Sequence, residues 1–185
     1  NVTVATRIRQ HGDIIRQAGL RLIPLELSRR AGNPIRELFS LVLLYRRERP
    51  EIVHHVALKS VLFGSLAARL TGLPAQVNAI AGMGCLFISR SYSARFVSSV
   101  IRWLLARLFS SPRCIVVVQN PDDAEVFREA GVPESRLRMV RGAGVDTAEF
   151  SPAPVPPYPV CVVLAARILW DKGVNEFVEA VRILK

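Results

Sequence analysis

VCVVLAARILWDKGV, residues 160–174, is the stretch from which the rest of the chain is read. It passes from an apolar, β-branched run into a turn holding Arg167 and Lys172. Gly173 then opens a helix with Val174, Phe177, Val178 and Val181 at i, i+3, i+4 and i+7. A strand that delivers two cations to a helix start makes a place for an anion. Backbone N–H groups point outward there, the macrodipole favours negative charge, and a guanidinium grips a phosphate through two parallel donors. Arg167 and Lys172 are therefore candidates to hold a diphosphate, although the same spacing also suits two solvated residues flanking an ordinary βα turn.

The chain has 185 residues, half of them hydrophobic, enough for one large or two small domains. Its formal net charge of +10 asks for an acidic partner: anionic lipid, a phosphorylated substrate or nucleic acid. Lysine occurs only at Lys59, Lys172 and Lys185, so the charge is almost all arginine, spread along the chain with few aromatics between; that pattern does not make a nucleic-acid platform. Cys85, Cys114 and Cys161 are far apart, with neither a disulfide framework nor zinc spacing, and two lie in apolar runs. They read as small buried hydrophobes of a reducing compartment. No uninterrupted apolar run reaches the roughly 18 to 20 residues of a membrane span. The chain opens on Asn1 within a strand-like stretch, so an upstream segment is expected.

Asn1–Arg7 and Leu20–Leu27 read as strands around a short helix beginning near Asp13. Asn33-Pro34 caps and starts a helix with Ile35, Leu38, Leu41, Val42 and Tyr45 on one side, stopped at Arg49-Pro50. Strands at Glu51–Ala57 and Ala75–Ala81 enclose a helix from Val61 to Leu70 that is apolar almost all round, and the second strand runs into Gly82-Met83-Gly84. A helix over 91–110 follows. Ser91, Arg95, Ser98, Ser99 and Arg102 share one face of it, and Phe96, Val97, Val100, Ile101, Leu104 and Leu108 the other. It is either a core-facing helix or a basic amphipathic helix on an anionic bilayer, and one edge touching lipid would satisfy both. Cys114–Gln119 is a buried strand, Asn120-Pro121-Asp122-Asp123 a capped helix start whose aspartates serve the cap and dipole, and Leu137–Arg141 a last strand ending at Gly142-Ala143-Gly144. Strand, helix and strand in this rhythm give an α/β fold: a Rossmann-like parallel sheet with helices on both faces and ligands at the strands' C-terminal ends. Prolines at 152, 154, 156, 157 and 159 mark a stiff linker. The division is 1–150 as a first domain, 151–159 as linker and 160–185 as the start of a second.

EIVHHVALK (51–59), GSLAARLTGLPA (64–75), NAIAGMGCLFISRS (78–91), QNPDDAEVF (119–127), RGAGVDTAEFSP (141–152) and AARILWDKGVNEFVEAVRILK (165–185) together resemble the retaining, GT-B-fold glycosyltransferases of the family-4 kind, similar to CapM-like transferases that build capsule, O-antigen and exopolysaccharide. The resemblance implies transfer of a sugar from a nucleoside-diphosphate sugar, UDP-linked, to a polyprenyl-diphosphate-linked saccharide. It implies no cofactor and no metal, and a peripheral location on the inner face of the plasma membrane, with 91–110 against the anionic surface. It maps donor diphosphate binding onto Arg167 and Lys172, places His54, Lys59, Gly82 and Gly84 at the acceptor side of the cleft, and puts Gly142, Gly144 and Asp146 in the interdomain loop.

Two departures stand out. The position where many relatives carry a histidine is Ala81, which leaves no side chain there for catalysis and the catalytic residues unassigned. The chain also begins at what should be the second strand and stops one helix into the second domain. In a sheet ordered 3-2-1-4-5, the strands at Asn1 and Glu51 must then pair directly or leave open edges, and the 185-residue chain alone is expected to be inactive. The alternatives are a non-catalytic nucleotide- or anion-binding domain of the same fold and, less well supported, a sugar-nucleotide epimerase.

Overall fold

The computed structural model describes residues 1–8, 12–27, 33–80, 92–142, 144–154, 158–159, 161–166, 168 and 170–184, with the backbone alone at 92–95, 97, 98 and 171. They fall into two compact units, Asn1–Gly144 and Val145–Lys185.

In the first unit β1 (Thr3–Thr6) pairs in parallel with β2 (Arg21–Pro24) across α1 (Gly12–Gln17). A second parallel sheet takes β3 (Ile52–Val56), β4 (Ala75–Ile80), β5 (Cys114–Val118) and β6 (Leu137–Met139) in chain order. Its crossovers carry α3 (Leu58–Thr71), α4 (Tyr92–Phe109) and α5 (Pro121–Glu129). Parallel strands added in order through right-handed crossovers put every connecting helix on one face. Burial follows: Val53 and His55, Gln76, Asn78 and Ile80, and Cys114, Val116 and Val118 are buried on that face, under Val61 of α3, Leu105, Leu108 and Phe109 of α4 and Phe127 of α5. On the other face Ile52 and Val56 are exposed, and Val77, Ala79, Ile115 and Val117 half-buried.

Between the two sheets there is no ladder among the described residues; β1 pairs with β2, and β3 only with β4. Helix α2 (Pro34–Glu48) joins them instead. Asn33 caps it, its Oδ1 accepting from the N–H groups of Ile35 and Arg36 at 3.0 and 3.2 Å, and Arg49 ends it in the left-handed region. Leu41 and Tyr45 are buried with Val53 of β3 and Ala67 and Ala68 of α3, against Leu25 and Leu27 beyond β2. Glu48 at the helix end accepts from Arg21 of β2 at 2.6 Å.

Four sequence expectations need correction. Residues 161–166 form no strand, because an apolar run becomes one only when a neighbour supplies hydrogen bonds, and among the described residues of Val145–Lys185 none does. Cys161 in that run is consequently exposed, whereas Cys114 is buried. Ile35 is exposed, lying with Phe39 and Leu43 on the flank of α2 that faces away from its core contacts. In α4, Phe96 and Val100 are exposed, because the helix is buried through Leu105, Leu108 and Phe109 on the opposite side. The second unit holds one turn of 3-10 helix at Trp170–Lys172 and α6 (Val174–Leu184), whose amphipathic pattern is as read but which buries none of its residues there.

Phe127 is fully buried edge-on against Phe109, at 5.4 Å between ring centroids. Phe127→Ala should lower the unfolding free energy by about 3–5 kcal/mol in urea titration, and Phe96→Ala by less than about 0.5 kcal/mol. Equal losses would show that α4 is turned the other way.

Candidate functional site

Ligands of a parallel sheet gather at the C-terminal ends of its strands, and the turn from β3 into α3 lies at that edge. Ala57, the linking residue, has φ 69° and ψ 150°, a region essentially reserved for glycine. Its N–H donates to Ala79 O at 3.1 Å and its carbonyl accepts from Val61 N at 2.9 Å, so both neighbouring elements hold the strain in place. Its side chain cannot cap α3, and the start of the helix keeps its positive end for a ligand.

Lys59, in the first turn of α3, is half-exposed and meets both carboxylate oxygens of buried Glu37, at 2.8 and 2.7 Å. Two helix starts, those of α2 and α3, are thereby clamped side by side. His54 is exposed on the face of β3 opposite His55. Gly82 and Gly84 lie outside the described residues. Gly144 has φ +67° and, like Gly142, stands in open space. Asp146, in the second unit, accepts from Ala148 N at 2.9 Å and so closes its own turn. Lys172 is exposed in the turn preceding α6, while Arg167 lies outside the described residues. The cap of α5 is Asn120, its Oδ1 accepting from the Asp123 N–H at 2.7 Å; the Asp123 carboxylate, in the first turn, accepts from Asn120 Nδ2 at 3.0 Å.

The polar group most deeply committed is one that sequence reasoning missed. His55 is buried beside His54, and its Nδ1 lies 2.7 Å from Asn78 Oδ1 and its Nε2 2.7 Å from the Tyr45 hydroxyl. Ser65 donates to the same Asn78 oxygen at 3.1 Å, and Asn78 Nδ2 reaches Cys114 Sγ at 3.2 Å. The chain closes with neutral His55 donating through Nδ1 and accepting from Tyr45. Gly64 of α3 is part of the arrangement, since a Cβ there would stand 2.4 Å from the ring. Burial is the main reason that the imidazole pKa lies below its ordinary value and the Cys114 thiol is pushed up to about 11. The available signal was that Tyr45, Asn78 and Ser65 are polar residues in otherwise apolar runs.

Residues 1–143 match the glycosyl transferase 4-like domain. The chain belongs to that family. It is similar to the N,N'-diacetylbacillosaminyl-diphospho-undecaprenol alpha-1,3-N-acetylgalactosaminyltransferase of Campylobacter jejuni, 29% identical over 92% of this chain and 50% of that protein. It is also similar to the UDP-Gal:alpha-D-GlcNAc-diphosphoundecaprenol alpha-1,3-galactosyltransferase of Escherichia coli, 29% identical over 64% of this chain and 30% of that protein. The chain thus spans half or less of the length of these curated relatives. Parallel sheets flanked by helices, as in the GT-B Rossmann-like glycosyltransferase fold, agree with the family, and among the described residues no helix is long and apolar enough to cross a membrane.

Two outcomes follow from this geometry. In the unfolded chain His55 protonates near pH 6.5, and in the folded chain only at lower pH. The unfolded state therefore takes up the extra proton, and stability falls as pH drops below about 6.5, by up to about 1.4 kcal/mol per unit. Thermal melts from pH 8 to 5 should show the decline, and His55→Gln should flatten it; an unchanged slope would assign the decline to other groups. At the strained turn, Ala57→Gly should raise stability by about 1 kcal/mol and Ala57→Val should lower it, both read by denaturant midpoint.

Proposed function

We propose that the intact protein transfers a hexose, with retention at the anomeric carbon, from a nucleoside-diphosphate sugar, UDP-linked, to a polyprenyl-diphosphate-linked saccharide in cell-surface polysaccharide synthesis. The match of residues 1–143 to the glycosyl transferase 4-like domain carries this reading, and the two relatives named for undecaprenol-diphosphate-linked substrates support its acceptor class. In the transfer an acceptor hydroxyl oxygen bonds to the anomeric carbon and passes its proton to an oxygen of the departing diphosphate, while the bond to the diphosphate breaks and its electron pair leaves with the nucleotide. The charge that grows on the leaving diphosphate is what fixed cations stabilise, and Arg167 and Lys172 are the side chains assigned to it.

On the acceptor side, the uncapped start of α3, with Lys59 beside it, suits a phosphate. The Glu37 carboxylate offsets the Lys59 charge, so Lys59 acts there chiefly by fixing the helix start. His54, exposed midway along β3, is assigned to hydrogen-bond a sugar hydroxyl, and Gly82 and Gly84 to the cleft wall. Gly142, Gly144 and Asp146 are assigned to the interdomain loop. A lipid-linked acceptor calls for attachment to the inner face of the plasma membrane, with 91–110 as the contacting segment. By itself the 185-residue chain is expected to transfer no sugar, since among the described residues 161–166 carry no ladder.

Replacing Arg167 and Lys172 with alanine in the intact protein should lower kcat/KM for transfer about a hundredfold or more and weaken donor binding by calorimetry. Unaltered donor affinity would remove the pair from the donor site. Retention is checked separately, by the anomeric configuration of the product in NMR.

A further inference from the structure

Helix α4 turns one continuous stripe to solvent. Phe96, Val100 and Trp103 are 72%, 45% and 64% exposed. With Arg107 they stand at i, i+4, i+7 and i+11, within about 60° of one another around the helix. The side of α4 opposite this stripe is the one packed on the sheet, through Leu105, Leu108 and Phe109. At its far end Arg107 enters a cavity of about 470 Å³ that Arg69 and Arg113 also line, with Ser110, Ser111 and Gln76. No carboxylate lines that cavity among the described residues. Arg69 and Arg107 sit in the last turns of α3 and α4, where a cation is favoured in any case, but Arg113 comes from the loop before β5 and owes nothing to a helix end. Gln76 is only 8% exposed, and its Oε1 is buried without a hydrogen-bond donor. The cavity therefore offers three guanidinium groups for a phosphate and one buried acceptor in want of a hydroxyl or amide.

We propose that the Arg69–Arg107–Arg113 cavity binds the phosphate headgroup of an anionic phospholipid while Phe96, Val100 and Trp103 lie in the bilayer interface. Aromatic and aliphatic side chains beside arginines are the composition of a surface that rests on an anionic bilayer. A phosphoglycerol headgroup supplies the phosphate, and its hydroxyl suits the Gln76 oxygen. Helix α4 runs from the C-terminal edge of the sheet to the opposite one. The stripe from Phe96 to Arg107, about 16 Å long, therefore lays the bilayer along the helix, with the headgroup cavity at the end remote from the Ala57 turn. This rests on the lipid-acceptor reading above and names the surface that meets the membrane. It differs from the face carrying Arg95 and Arg102 to which the sequence pointed.

Vesicle flotation of the 185-residue chain needs neither donor nor acceptor, so failure here and failure of the transferase reading are distinguishable. The chain should float with phosphatidylcholine vesicles containing phosphatidylglycerol and not with phosphatidylcholine alone. Arg69→Gln with Arg113→Gln should weaken binding by about fivefold per arginine, and Arg→Lys at both positions should restore most of it. Arg46→Gln with Arg47→Gln on α2, an equal loss of charge elsewhere, should leave binding nearly unchanged. In a Trp170→Phe background, Trp103 emission should shift to the blue on binding. The proposal is overturned by a failure of the chain to float, by equal losses from the two arginine pairs, or by flotation without a Trp103 shift. It is equally overturned if inorganic phosphate at matched ionic strength strips the chain from vesicles, which would mark a free-phosphate site, or if the stripe proves to pair two copies, seen as a dimer by light scattering that Trp103→Ser dissolves.

Discussion

The hydrogen-bond chain through His55 is the constraint on which the first unit depends. It links Tyr45 of α2, His55 of β3, Asn78 of β4, Ser65 of α3 and Cys114 of β5 within one layer of the core. A core built only of aliphatic side chains tolerates many similar packings, whereas a buried polar network is favourable in the one register that satisfies its members. Moving β3 by one residue would bring His54 inward and turn His55 to solvent, leaving Asn78 and Tyr45 without their partner. The network thus fixes the ladder between β3 and β4 and the seating of α2 on α3. Both helix starts at the candidate site, Glu37 with Lys59 and the strained Ala57, depend on those two placements.

What the sequence makes legible is what is local. Asn33-Pro34 and Asn120-Pro121 announce helix starts because the capping side chain and the N–H groups that donate to it lie within three residues of each other. Gly72 and Gly131 announce stops because only the left-handed region completes the turn there. The order of strands and helices follows, and with it the parallel sheet. What stays hidden depends on partners distant in the chain. His55 is chosen over His54 by residues 10 and 23 positions away. The periodicity of α4 shows two faces but not which one the core takes, since aromatic and aliphatic residues populate both. Lys59 reads as a free cation until Glu37, 22 residues earlier, is brought to it.

Residues 161–166 make the same point from the other side. Val162, Val163 and Leu164 have the propensity and the apolar character of a buried strand, and all three are exposed. Strand formation is a pairing event: each backbone N–H and C=O must find a partner, and hydrophobic side chains stabilise a ladder only after it exists. The two sheets of the first unit, with no ladder between them among the described residues, show the same rule. There the hydrophobic contacts of α2, not backbone hydrogen bonds, hold the two sheets in one unit.

Charge is distributed on a related principle. The chain carries 25 basic and 15 acidic side chains, and among the described residues several of the acids are held in ion pairs: Glu37 with Lys59, Glu48 with Arg21, Glu125 and Glu134 with Arg128, Asp13 with Arg16 and Glu179 with Arg182. Most of these pairs are exposed, where each contributes little to stability. Their larger effect is on the field. A carboxylate matched to a neighbouring cation is cancelled where it stands, so positive charge in excess elsewhere does not average away over the surface. Arg69, Arg107 and Arg113 around one cavity are the clearest case, because three like charges can share a small concavity at low cost only while water or an anion screens them. A cavity assembled at that cost keeps a standing preference for an anion, strongest at low salt, and the apolar stripe of α4 that runs into it decides what kind of anion can arrive with its own oily surface.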